Sequence, residues 1–323
     1  MKKVLAILLM VALVAALFVG CGGQEAPADQ GSGDSAPAEA SGVKIGVSIA
    51  SFDDTFLVYM MDGMKAHQET LGDAEITYVD AKEDAAKQLE QVENFITQGM
   101  DSVVVVPVNT EATSPITEAC TNAGVNLVYV NRLPANLPDE VVFVGSQSID
   151  AGIFQMEYLG EKMGGEGNVV IMMGKLDNEA AIKRTEGNKQ VIADKYPDIK
   201  VIKEQTANWS RAEGMSLMEN WLSSGDEIAA VLCNNDDMAL GVIQALEAAG
   251  MLDDVLVGGV DATPDAIAEV NSGKLDVTVF QDAGGQGGGG IQAAYDKAMD
   301  VTVDKEVWIP FQLVTPDNVA DFQ

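Results

Sequence analysis

The sequence predicts an α/β protein built from two doubly wound, Rossmann-like lobes joined by a hinge of several chain crossings. Three observations carry that expectation. From Val43 onward, apolar runs of strand length alternate with helix-length stretches across short connections. Several runs are apolar at every position, as at 103–106, the pattern of strands covered on both faces in a parallel sheet. The same plan also runs twice, through more chain than a single hydrophobic core usually serves.

The first half reads as strand 43–49, helix 55–71, strand 76–79 and a polar helix 85–98. Strand 102–106 follows, stopped by Pro107, then helix 111–122 and strands 126–130 and 141–144. The second half repeats the alternation with helix 150–163, strand 169–173, helix 179–195, strand 200–204 and helix 210–223. Strand 229–233, helix 238–249 and strand 255–260 follow. Thr263-Pro264 pairs an N-cap with proline at the first helical position. Strand 276–280, a last helix ending near 299 and a strand over 311–314 finish the chain. The expected lobes are residues 43–147 plus 282–308 and residues 148–281 plus 309–323.

The N-terminus restricts the compartment. Lys2 and Lys3 precede an apolar run over 4–19, then Gly20 and Cys21, the layout of a signal peptide over 1–20. The run falls short of the ~20 apolar residues that a spanning helix needs. Phe18-Val19-Gly20-Cys21 resembles the lipobox of bacterial lipoproteins, with Leu17 one place early. That resemblance implies lipid on Cys21, membrane contact through the lipid alone, and an extracytoplasmic location. Residues 21–42, poor in large apolar side chains and rich in Gly, Ala, Ser, Pro and acids, read as a disordered tether.

Composition excludes several functions. Nineteen Lys and Arg stand against 50 Asp and Glu, a formal charge of −31, which repels phosphate backbones and argues against a nucleic-acid partner. Cys120 and Cys233 have no CxxC spacing and His67 is the sole histidine, so no dedicated metal site or cofactor is expected. Both cysteines read as buried thiols, and the spacing alone does not fix whether they pair. His67, mid-helix, reads as a solvated side chain rather than a catalytic base. The run Gly284–Gly290 follows a strand but lacks the βα unit and acidic ribose ligand of a dinucleotide site. It reads as a mobile crossover with close helix packing.

The informative residues lie just after strands: Asp53-Asp54-Thr55-Phe56, Asn131-Arg132, Trp209, Asn234-Asn235-Asp236, Asp261 and Gln281. Each has a structural alternative. Asp54 or Asn235 can cap a helix or make a turn, and Trp209 can be core. Asp261 is harder to explain that way, because Thr263 is available as the cap. Together they put carboxylates, amides and aromatic faces at one rim, which suits a small neutral polyhydroxylated ligand.

From Val43 onward the chain resembles the sugar-binding type I periplasmic binding proteins. Phe52-Asp-Asp-Thr-Phe56, Asn234-Asn-Asp-Asp-Met-Ala-Leu-Gly241 and Gly259-Val-Asp-Ala-Thr-Pro264 are similar to the galactose/glucose-binding members. Glu204-Gln-Thr-Ala-Asn-Trp-Ser-Arg211, Asp276-Val-Thr-Val-Phe-Gln-Asp282 and Ile309-Pro-Phe-Gln-Leu-Val-Thr315 are similar to the inositol- and rhizopine-binding members. The resemblance implies that Asp54 and Phe56 supply the first acid and stacking face, Asn131 an amide, Arg184 a guanidinium and Trp209 the opposing face. It assigns Asn235 and Asp261 to the far lobe, with Gln281 where asparagine is usual. Asn178 and Ala180 replace a histidine and an aspartate, and residues 164–168 are too short for the calcium loop of the galactose/glucose type. The implied function is a monomeric, non-enzymatic receptor for an ABC permease, binding a cyclitol such as myo-inositol. An aldohexose or pentose receptor, for import or chemosensing, is the alternative.

Overall fold

The computed structural model describes residues 42–323. The signal peptide, Cys21 and all but the last residue of the expected tether lie outside the described residues. Two sheets organise the rest. The first contains β1 (Lys44–Ile49), β2 (Glu75–Asp80), β3 (Ser102–Val105), β4 (Asn126–Val130), β5 (Val142–Gly145) and, from the end of the chain, β11 (Glu306–Trp308). Their order is β11-β5-β4-β3-β1-β2, with every pairing parallel.

The second sheet repeats this winding. It contains β6 (Glu166–Met173), β7 (Asp198–Thr206), β8 (Ala230–Cys233) and β9 (Leu256–Gly258) in the parallel order β7-β6-β8-β9. Parallel bridges Gly258–Val277 and Asp261–Phe280 extend it to β10 (Thr278–Phe280), which pairs antiparallel with β12 (Gln312–Val314). In both sheets the second strand lies outside the first and the third lies on the other side. Each sheet therefore has a switch point, between β1 and β3 and between β6 and β8.

Helices cover both faces of each sheet, which is why the strands read as continuous apolar runs. Phe56, Leu57, Met60 and Met64 of α1 (Thr55–Gln68) and Ile291 and Ala294 of α9 (Ala283–Ala298) pack on Ile45, Val47, Val104 and Val128. On the opposite face, Val92 and Phe95 of α2 (Ala85–Thr97) and Ile116 and Cys120 of α3 (Ser114–Ala123) meet Val103, Val105 and Tyr129. The second sheet is sandwiched between α4 (Ser148–Lys162) and α5 (Glu179–Lys195) on one face. Its other face carries α6 (Arg211–Ser223), α7 (Asp236–Ala249) and α8 (Pro264–Ser272). Each large side chain buried this way stabilises the fold by roughly 1.5–3 kcal/mol. The chain passes between the two sheets three times: after β5, after β10 and between β11 and β12.

Several expectations need correction. The glycine run is not a crossover: Gly284–Gly290 is helical, inside α9. A Cβ on Gly287 would lie 2.2 Å from the Met60 carbonyl oxygen, and one on Gly63 would lie 2.6 Å from Gly284 Cα. The glycines let α1 and α9 touch backbone to backbone. His67 is not simply solvated; it is half-buried at that contact, with Nε2 2.8 Å from Gln292 Oε1 of α9. The third helix begins at Ser114 rather than 111, because Pro115 fits only the first turn. Asn109 Oδ1 instead accepts the Glu111 and Ala112 N–H groups in a turn. Strand 255–260 shortens to β9, helix 238–249 begins two residues earlier at Asp236, and β11 was not expected at all. Thr263 caps α8 as read, accepting the Ala266 N–H. Cys120 and Cys233 are buried free thiols, with burial pushing the Cys120 thiol up to about 12 and Cys233 higher still.

Candidate functional site

Ligands of open parallel sheets gather at the carboxyl ends of strands, beside the switch point. Here two such edges face one another. Asp54 follows β1, Asn131 and Arg132 follow β4, Asn178 follows β6, and Asn235 follows β8. Asp261 and Gln281 follow the strand segments beyond them. Of the residues singled out in the sequence, Asp54, Phe56, Asn131, Arg132, Asn178, Arg184, Trp209, Asn235, Asp261 and Gln281 line one pocket between the lobes, while Asp53, Thr55, Asn234 and Asp236 do not.

The wall from the first lobe is built by a helix start and a strained turn. Asp54 is the N-cap of α1, with Oδ1 accepting the Leu57 N–H at 3.2 Å. Its Oδ2 lies 3.4 Å from Arg132 Nη2. Burial pushes the Asp54 carboxyl up, against the opposing pull of Arg132. Arg132 is nearly inaccessible, and its Nη1 donates to the Pro107 carbonyl at 3.0 Å. Asn131 has φ 67°, and its Nδ2 donates to Gln286 Oε1 at 2.9 Å. Gln286 in turn donates to Ser146 Oγ at 2.8 Å. That chain fixes the amide's orientation, leaving Oδ1 as its free acceptor. Phe56 supplies an apolar face from the first turn of α1.

The wall from the second lobe is organised around Arg184. Its Nη1 donates to the Asn234 carbonyl at 2.6 Å and its Nη2 to Gln281 Oε1 at 2.7 Å. Asp261 Oδ1 lies 3.6 Å from Nη1. The guanidinium carbon sits 5.8 Å from the Trp209 ring and 5.8 Å from the Phe311 ring, a cation–π arrangement. Burial pulls the Arg184 pKa down, with Asp261 opposing, and the guanidinium stays charged. Burial pushes the Asp261 carboxyl well above the usual carboxylate range; Arg184 pulls it back, and Asp236 adds to the rise. Asn178 caps α5 and Asn235 caps α7, each through Oδ1, while Asn235 Nδ2 donates to the Trp209 carbonyl at 3.3 Å.

Two features mark the pocket as more than packing. Asn131, Trp209 and Asp261 all carry positive φ, at 67°, 66° and 124°. Non-glycine residues in such conformations cost roughly 1–3 kcal/mol each and cluster at binding sites. In addition, Arg184 Nε and Trp209 Nε1 are buried donors with no protein partner among the described residues. A buried unpaired donor costs about 1–3 kcal/mol, which a ligand oxygen can relieve. Trp209 lies flat over Gly174, where a Cβ would come within 2.0 Å of the indole.

The space left between the walls is small. Two carboxylates, Asp54 and Asp261, balance two guanidiniums, Arg132 and Arg184, so the walls match a small neutral molecule with many hydroxyls. Leu57 and Ala180 also line the pocket. Leu57 was not singled out, because an apolar residue on the buried stripe of a helix carries no signal in sequence. Ala180 was singled out only as a departure from a family pattern.

Two facing α/β lobes that enclose hydrogen-bonding groups and stacking faces are the architecture of a solute-binding protein. The chain belongs to the periplasmic binding protein domain family, whose model matches residues 45–300. It is 46% identical over 284 residues to the "Putative rhizopine-binding protein" of Rhizobium meliloti, covering 86% of this chain and 92% of that one. It is 35% identical over 292 residues to a xylitol-binding protein of Mycolicibacterium smegmatis, covering 90% and 81%. Among solved structures, an ABC transporter solute-binding protein from Bacillus halodurans with bound myo-inositol superposes with a TM-score of 0.85. Its identity is 47%, covering 88% of this chain and 98% of that one. The chain is thus a sugar-binding protein of the ABC-transporter type, from a family whose members work outside the cytoplasm.

Proposed function

We propose that this chain is the lipid-anchored receptor of an ATP-driven importer and that it captures a cyclitol, myo-inositol or a close relative, between its lobes. The carrying observation is the charge-balanced slot between Trp209 and Phe56, with Asp54 and Asp261 as acceptors and Arg184 as donor. A cyclitol presents hydroxyls around its whole ring and has no ring oxygen to mismatch a donor. Ala180 supports that choice, since a methyl stands where the galactose/glucose type carries a carboxylate. The likeness to a protein crystallised with myo-inositol points the same way. The segments 43–147 plus 282–308 and 148–281 plus 309–323 act as the two rigid halves, and the closed form docks as a monomer on the permease.

Isothermal titration of ligand-stripped protein with myo-inositol, glucose, galactose, ribose and xylose tests the ligand. Tight binding of a hexose or pentose with no heat from myo-inositol refutes the cyclitol assignment and leaves a sugar receptor. The anchor rests on Cys21. Cys21→Ser is expected to release the protein from membranes, and a variant that still sediments wholly with them refutes the lipidation.

A further inference from the structure

A second cavity opens beside the pocket. Asp54 and Trp209 line both, and its outer rim holds Glu83 and Lys175 at one side and Arg211 and Asp237 at the other. This is the mouth of the cleft. Contacts cross between the lobes around it. Lys175 Nζ, in the segment after β6, lies 2.9 Å from Glu83 Oε2, in the segment after β2. Thr55 Oγ1 donates to Asp237 Oδ2 at 2.6 Å, and Arg211 holds the other oxygen of Asp237. Deeper, the Thr110 N–H donates to the Asp177 carbonyl at 3.1 Å.

Glu83 is held in place at a conformational cost. Lys82 and Glu83 both sit in the left-handed region, at φ 55° and 56°, which L-residues enter only at a conformational cost. The turn is pinned by the Glu83 N–H on the Ala50 carbonyl and the Lys82 N–H on Asp80 Oδ1, both at 2.8 Å. Strain maintained this way points to a role for the side chain it orients. One Glu83 oxygen meets Lys175, while the other lies 4.0 Å from Arg132 Nη2. Neither Glu83 nor Lys175 lines the inner pocket.

We propose that the Glu83–Lys175 pair is an electrostatic latch at the mouth of the cleft, lengthening the residence of the bound solute without touching it. The inference rests on the reading of this chain as a solute receptor. Apparent affinity scales with the fraction of protein in the binding-competent, closed form. A cross-cleft pair raises that fraction equally for every solute. It sets dwell time, while the inner pocket sets selectivity.

The test uses the full chain and three variants, Lys175→Met, Lys175→Glu and Lys175→Arg, with two readouts. Amide hydrogen exchange at Thr110, whose N–H bonds across the cleft, reports opening in the ligand-free protein. Stopped-flow Trp209 fluorescence reports dissociation of myo-inositol. Loss of a partly exposed ion pair is modest in effect, so Lys175→Met is expected to speed both processes about 1.4–5-fold. Lys175→Glu sets like charges together and is expected to exceed that factor, while Lys175→Arg stays within about twofold of the parent. The ratio of myo-inositol to glucose affinity is expected to hold in all three. Unchanged Thr110 exchange in Lys175→Glu overturns the latch whatever the solute result. A Thr110 response in a protein whose parent shows no myo-inositol signal supports the latch and refutes the cyclitol assignment instead.

Discussion

Asp261→Ala removes a carboxylate that is 6% exposed and enters the pocket from a backbone at φ 124°. An ionised carboxylate offers about four acceptor positions. Its ion-pair partner, Arg184 Nη1, stands at 3.6 Å, outside hydrogen-bond range. The acceptors are therefore free for solute hydroxyls. Hydrogen bonds to a charged group contribute about 1.5–3 kcal/mol each, so loss of two removes ~3–6 kcal/mol, about two to four decades in Kd. Asp261→Asn keeps one acceptor and the side-chain volume and is expected to lose about half of that free energy. Calorimetric titration with myo-inositol measures both, and a thermal melt establishes that the variants fold. A loss below about tenfold for Asp261→Ala, in a protein that melts like the parent, refutes the role assigned to this carboxylate.

Gly174→Ala sets a Cβ against the Trp209 indole. It is expected to weaken binding at least tenfold and to shrink the Trp209 fluorescence change on ligand addition; unaltered titrations would show that the indole is not a wall of the site. The pH dependence is expected to split. Burial raises the carboxyls of Asp54, Asp236 and Asp261, so the folded chain binds more protons than the unfolded one above their ordinary value of 3.8. Stability of the ligand-free protein therefore falls as pH rises from about 4 toward the raised values, and Tm is higher near pH 5 than near pH 8. Affinity runs the other way, because Asp54 and Asp261 offer all their acceptor positions, and charge-assisted hydrogen bonds, only when ionised. A Tm that climbs from pH 5 to 8, or an affinity that strengthens on acidification, contradicts this assignment.

Much of the site was legible in the sequence because a parallel sheet sends the carboxyl ends of its strands to one edge. Polar residues just after apolar runs had to lie on such edges, Asp54 and Asn131 on that of the first sheet and Asn235, Asp261 and Gln281 on that of the second. Capping a helix and lining the pocket are not rival roles. Asp54, Asn178 and Asn235 each cap a helix and line the pocket, since the residue between a strand end and a helix start occupies both places. His67 and the glycine run were read less well. Their environment is the contact between α1 and α9, made by segments more than 200 residues apart.

The sequence by itself determined the class of the fold, the doubled winding and the rim from which ligand groups project, because periodicity, caps and strand ends are local properties of the chain. Only the tertiary structure decided that Arg184, within a helix, is seated by the Asn234 carbonyl and Gln281. It also placed Leu57 and Ala180 on the pocket wall, put Asn131, Trp209 and Asp261 at positive φ, and brought Glu83 to Lys175 across the mouth. The three-residue strand β11 carries too little period to read. The Glu83–Lys175 contact depends on how the two lobes approach one another, and the seating of Arg184 on segments 50 and 97 residues away within one lobe, separations that no local pattern encodes.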